Sequence, residues 1–233
     1  MTPSEFELSA PARKPGLRPL LDKLLAALRP HRPAAETWTA RNGVPVTLRP
    51  ARASDRAQMQ SFVRGLSKQS RYQRFFIPLH ELPPDLLARY TGAGPAHELT
   101  LLAVVTGSTG ELVVSMAQYV SDNDSGRGEF AVAVADAWQG EGLGSRMIDT
   151  LGCIARHAGM ARLEADVLAT NGGMRRLLER MGFTIRQHPE EDNLVRATRR
   201  LGVASCKASP LAVLGERVRG VRVAGHRGVA TAR

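Results

Sequence analysis

A mixed α/β domain, with an antiparallel meander followed by a βαβ crossover, is the fold class that the order of apolar patterns predicts. Short apolar runs at Leu99 to Val105, Leu112 to Tyr119 and Glu129 to Ala135 follow one another across the turn-forming segments TGSTGE and SDNDSGRG, the signature of hairpin-linked strands. A helical stripe comes next, with apolar residues at Leu143, Met147, Ile148, Leu151, Ile154 and Ala155. The strand after it, Leu163 to Leu168, is reached by a crossover and is therefore expected parallel to the strand from Glu129.

Taken in order, residues 1–16 are rich in Pro, Ser and Ala without a period and read as a disordered lead. Leu17 to Leu28 has the pattern of a short amphipathic helix ended by Pro30 and Pro33, and is read as a frayed extension. His31 to Gly43 reads as a proline-containing linker, so the N-terminal extension is expected to span 1–43 and the folded domain 44–199. Val46 and Leu48 alternate in the first strand. Ser54 or Asp55 is expected to cap a helix carrying Ala57, Met59, Phe62, Val63 and Leu66. The polar and aromatic segment from Leu66 leads to a helix over Pro84 to Tyr90, with proline in its first turn. After the crossover strand, Asn171 is placed to cap a helix with Met174, Leu177, Leu178 and Met181, which Gly182 closes. Phe183 to Gln187 and Asn193 to Thr198 form the last hairpin. From Arg200 onward Gly, Ala and Arg dominate, and 200–233 is read as a basic, disordered tail.

The net charge of +10 raises the question of a nucleic-acid partner, and its distribution answers it. Residues 1–44 carry seven basic and four acidic side chains, residues 45–199 eighteen and seventeen, and residues 200–233 seven and one. The excess lies in the flanks, so a basic groove in the domain is not indicated. No apolar run approaches the ~20 residues of a membrane-spanning helix, and the start lacks a secretory h-region, so a cytoplasmic location is expected without a membrane partner. Cys153 sits on the helical stripe as a small core residue and Cys206 in the tail, and neither a disulfide framework nor a metal-ligand spacing is read from them. The six histidines are scattered, and no metal is expected.

The chemistry concentrates where the central strand meets the long helix, in EFAVAVADAWQGEGLGS. Glycines at the mouth of a helix let an anion approach the free amides of its first turn, and the helix dipole favours negative charge there. The turn therefore reads as a cradle for linked phosphates. The dinucleotide spacing G-x-G-x-x-G fails, because Ser145 or Met147 stands where the third glycine would fall. The spacing Q/R-x-x-G-x-G/A is met by Gln139, Gly142 and Gly144.

That motif, together with LEADVLATNGGMRRLLERMGF and the strand order before it, resembles the Gcn5-related N-acetyltransferase (GNAT) superfamily from about Val44 to Thr198. Leu66, Ser67, Ser70, Tyr72, Arg74, Phe75 and Phe76, within LSKQSRYQRFF, are similar to the opening of the acetyltransferase domain of bacterial Pat-type protein lysine acetyltransferases. The resemblance implies a GNAT fold with splayed central strands and an acetyl-CoA-dependent transfer to a primary amine, a protein lysine ε-amine by preference. It implies that Glu129 is the general base. It implies that main-chain groups of Val132, Ala133 and Val134 pair with the pantetheine arm, and that Gln139, Gly140, Glu141, Gly142, Leu143, Gly144 and Ser145 wrap the pyrophosphate. Asn171 would reach the pantetheine or simply cap its helix. Many relatives carry a proton-donating tyrosine in the helix after this asparagine; Met174 to Met181 contains none, so the general acid is unassigned. Acetylation of a small amine and non-catalytic sensing of acyl-CoA are the alternative functions.

Overall fold

The computed structural model describes residues 34–108, 110–202 and 209–218. Eight strands are formed: β1 (Glu36–Thr39), β2 (Pro45–Pro50), β3 (Glu98–Gly107), β4 (Gly110–Asp122), β5 (Arg127–Val134), β6 (Arg162–Leu168), β7 (Thr184–Gln187) and β8 (Leu194–Arg200). They make one sheet in the order β1-β2-β3-β4-β5-β6-β8-β7. Every neighbouring pair is antiparallel except β5 and β6, which the crossover makes parallel. The helices are α1 (Arg56–Gly65), α2 (Lys68–Phe75), α3 (Pro84–Ala88), α4 (Leu143–His157), α5 (Gly172–Arg180) and α6 (Leu214–Val218).

The two-residue period of the strands divides the core between the sheet faces. Leu101, Ala103, Phe130 and Val132 face the side covered by α4, where Met147, Ile148, Leu151 and Ile154 are fully buried. Leu102, Val104 and Ala133 face the opposite side, against Met59, Phe62 and Val63 of α1 and Phe75 of α2. Each such aliphatic side chain removed from water is worth about 1.5–3 kcal/mol, so α4 is anchored along the stripe that its sequence displays.

Four local features differ from expectation. The stretch read as linker contains β1, paired with β2 from Glu36↔Leu48 to Thr39↔Pro45. Its turn is closed by Gly43 N to Ala40 O (3.0 Å) and Ala40 N to Val44 O (2.9 Å), with Gly43 at φ +83°. Asn42-Gly43 is a hairpin signal, because glycine adopts that φ without a Cβ clash.

Second, α2 is a helix without an apolar stripe. Arginine stems fill its buried face. Arg71 is 7% exposed and donates to Arg64 O and Leu66 O, and Arg74 is 3% exposed, donating to Gln118 Oε1 beneath the rings of Phe75 and Tyr90.

Third, Asp55 does not cap α1 through its side chain. It forms a buried two-point ion pair with Arg49, 2.8 Å at each oxygen, and accepts Arg52 N at 2.7 Å.

Fourth, within the segment read as tail, Leu211, Leu214 and Val218 are buried against α4, at a spacing too brief to stand out as a stripe. Ser121 Oγ donates to Val218 O at 2.7 Å. Gly215 is required there, since a Cβ would lie 2.4 Å from Ile154 O.

Cys153 is buried on α4, as expected of a small core residue, but it is disulfide-bonded, which corrects the reading that the cysteines form no disulfide; Cys206, the lead read as disordered, the expected helix at Leu17 to Leu28 and residues 203–208 and 219–233 lie outside the described residues. Among the described residues no helix is long and apolar enough to cross a membrane, and no group of three or more His, Cys, Asp or Glu is placed to hold a metal ion.

Candidate active site

The parallel pairing of β5 and β6 is short. It runs from Arg127↔Arg162 to Glu129↔Glu164 and stops. Beyond Glu129 the strands diverge, and a cavity of about 340 Å³ opens between Phe130–Val134 on one wall and Ala165–Val167 on the other. The splay leaves the β6-facing main chain of Phe130 to Val134 available for an extended ligand, as a sheet edge is for an added strand.

Two glycines shape the far end of this cleft. Gly140 and Gly142 hold φ of +87° and +89°, which turns the chain from Trp138 into the first turn of α4. A Cβ on Gly140 would meet nothing within 4 Å, so the turn opens onto space. Gly144 packs closely for a different reason, because a Cβ there would sit 3.2 Å from Leu177 Cδ2 where α4 passes α5 and would push that side chain aside. With Leu143, Gly144 and Ser145 of its first turn on the cavity wall, α4 presents a site suited to phosphate.

Glu129 lines the cavity at the point where the two strands part, half-buried. Val132, Ala133, Val134, Gln139, Gly140, Gly142, Leu143, Gly144, Ser145 and Asn171 line it as well. Glu141 is in the turn but not on the cavity wall; its carbonyl accepts Arg41 N at 3.3 Å. The Gln139 side chain points back, donating to Ser70 Oγ (3.3 Å) and Val134 O (3.4 Å), so what it offers a ligand is main chain. Asn171 Oδ1 accepts Met174 N at 3.1 Å and so caps α5, while the residue also lines the cavity.

A second carboxylate in the cavity wall, Asp166, is occupied by Arg196, which donates to both its oxygens at 2.8 and 3.0 Å. The hydrogen bonds to Asp166, with added attraction from Glu164 and Glu129, raise the Arg196 pKa against the opposing effect of burial. Asp136 fastens α2 beside the cleft by accepting Ser67 N (2.8 Å), Ser67 Oγ (2.8 Å) and Ser70 Oγ (2.7 Å). Desolvation opposes ionisation of Asp136, yet these hydrogen bonds hold its carboxyl below the usual carboxylate range.

Several cavity residues were not expected from sequence. Ser70, Gln73, Arg74 and Phe76 come from α2 and its end, and Met174, Leu177 and Arg180 from α5. Phe76 is held in the left-handed region at φ 61°, which directs the chain away at the end of α2. Arg41 arrives from the β1–β2 turn; the Asn42-Gly43 signal was the available clue to it. No tyrosine lines the cavity among the described residues.

A family model described as the acetyltransferase (GNAT) family matches residues 68–183. An acetyltransferase of Pseudomonas aeruginosa is 30% identical over 155 residues, covering 66% of this chain and 83% of that protein. Among solved structures, the GNAT domain of the Streptomyces lividans protein PAT superposes with a TM-score of 0.65 at 26% identity, covering 72% of this chain and 97% of that one. A putative acetyltransferase from Salmonella typhimurium, solved with acetyl-CoA, shares the fold with a TM-score of 0.54 at 21% identity, over 69% of this chain and 96% of that one.

Proposed function

The chain belongs to the GNAT family of acetyltransferases, and from that premise we propose that it moves an acetyl group from acetyl-CoA to a protein lysine ε-amine, with Glu129 as general base. The observation that carries this reading is the cleft itself. A carboxylate stands where β5 and β6 part, and the first turn of α4, at Leu143, Gly144 and Ser145, lines the same cavity.

The residues fit such a ligand in three ways. The turn at Gly140 and Gly142 has room for linked phosphates against the α4 amides. The β5 main chain from Val132 to Val134 has hydrogen-bonding groups to offer an amide-bearing arm. Ala131 and Ala133 are small and share the strand face of Glu129, which leaves width for an incoming amine.

Bound acetyl-CoA would supply an activated carbonyl and a good leaving group. The protein must supply a neutral amine. A lysine has a reference pKa of about 10.4, so roughly one amine in a few thousand is deprotonated at neutral pH. Glu129 would take that proton, directly or through a water. The lysine preference is supported by the similarity of the Leu66–Phe76 run to Pat-type domains and by the match to nearly the whole S. lividans GNAT domain. With no tyrosine at hand, water near the cleft mouth is the proton source assigned to the departing thiolate.

Glu129→Gln tests the base. Acetyl-CoA affinity should remain within a few-fold of the native protein while transfer falls by ~100-fold or more. Unchanged turnover in this variant, followed by mass spectrometry of acetylated protein, would remove Glu129 from the reaction.

A further inference from the structure

We infer that Arg41, at the tip of the β1–β2 hairpin, is a phosphate-binding residue that closes over the glycine turn and grips the linked phosphates of acetyl-CoA. The inference rests on the acetyl-CoA reading above and extends it to a residue outside the glycine motif.

The hairpin brings Arg41 directly onto the turn. Its amide donates to Glu141 O at 3.3 Å, its Nη1 donates to Gly140 O at 3.1 Å, and its Nε would be 3.8 Å from a Cβ on Gly142. The hairpin is itself fastened at the start of α4: Arg146 pairs with Glu36 and lies over the Trp38 ring at 5.8 Å, and Ser209 Oγ donates to the same Glu36 carboxylate at 2.8 Å. Ala40, adjacent to Arg41, is buried. The guanidinium is thus delivered by an anchored element.

Arg41 is exposed, and its placement favours an anion coming between the guanidinium and the start of α4. The N-terminus of α4 carries partial positive charge, which repels a cation and attracts an anion. Among the described residues no carboxylate pairs with Arg41, and Gly140 O is the acceptor its guanidinium meets. A guanidinium has five donors, so most stay available to a ligand. The turn meanwhile lacks a cation of its own: from Trp138 to Ser145 the one charged side chain is Glu141, and Arg146 is committed to Glu36. Of the other arginines on the cavity wall, Arg74 is directed at Gln118 and Arg180 stands on α5. Two linked phosphates set on the α4 amides would meet Arg41 from above, and its guanidinium would form the second half of the cradle.

The test is calorimetric titration of the full-length protein and its Arg41→Gln and Arg41→Lys variants with acetyl-CoA, 3′-dephospho-acetyl-CoA and S-acetylpantetheine, the last carrying no phosphate. Arg41→Gln should weaken acetyl-CoA and the dephospho ligand alike by about 10-fold or more, as expected for a charge-assisted hydrogen bond. It should leave S-acetylpantetheine unaffected, and Arg41→Lys should recover most of the loss. The difference should narrow as salt is raised. Native-like acetyl-CoA affinity in Arg41→Gln, or an equal loss for S-acetylpantetheine, overturns the inference while the acetyl-CoA reading stands. A loss confined to the 3′-phosphorylated ligand overturns the assignment to the linked phosphates. Absence of binding by the native protein removes both readings together.

Discussion

Arg49 and Asp55 illustrate how much a single pair can carry. Both are almost fully buried, and Glu111 approaches the same guanidinium at 2.6 Å. Burial works against the Asp55 carboxylate, but the hydrogen bonds from Arg49 and the Arg52 amide prevail and hold its pKa below the ordinary value. A depressed carboxyl contributes stability that is complete above the unfolded pKa of about 4 and is lost as pH falls through the lower folded value. Asp55→Asn leaves Glu111 as the remaining carboxylate on Arg49 and should cost about 1.5–3 kcal/mol in urea unfolding at neutral pH, the scale of hydrogen bonds lost to a charged group. The variant should also lose less additional stability than the native protein on acidification below about pH 4. At this scale the sequence was an uneven guide. Gln139, Gly142 and Gly144 could be read because their spacing reflects backbone geometry, whereas Arg49 with Asp55, and Arg41 with Gly140, meet through tertiary contacts that no local period records.

Among the elements, α4 and α6 show where periodicity succeeds and where it fails. The α4 stripe spans four turns, so its buried residues declare themselves. Leu211, Leu214 and Val218 do the same work for α6 and the turn before it, and three residues make no statistical pattern. The helix α2 was missed for a chemical reason, since Arg71 and Arg74 occupy positions where apolar side chains would have revealed the face. Gly215→Ala examines the α6 contact. The new methyl would fall on backbone atoms of α4 at 2.4 and 2.7 Å, and backbone cannot yield as a side chain tip can. Displacement of α6 should lower stability by about 1–3 kcal/mol, read as a lower urea midpoint with an unchanged slope.

For the whole molecule, strand order and the crossover were legible because chain connectivity restricts how strands can pair. The outer limits were not. β1 and α6 extend the folded unit on both sides of the expected 44–199, and both pack at or near α4. The splay between β5 and β6 was carried by family resemblance alone, because an unpaired register leaves no mark in composition. Yet that splay makes the cleft, and the proposed activity depends on it. Hydrogen exchange of the full-length protein with and without acetyl-CoA measures it most directly, since a ligand that binds the native state slows opening of the amides it covers. The account predicts slowed exchange at Phe130–Val134 and Gly142–Ser145, with β7 little changed. Binding without protection at the glycine turn, or protection confined to elements away from β5 and α4, would contradict it.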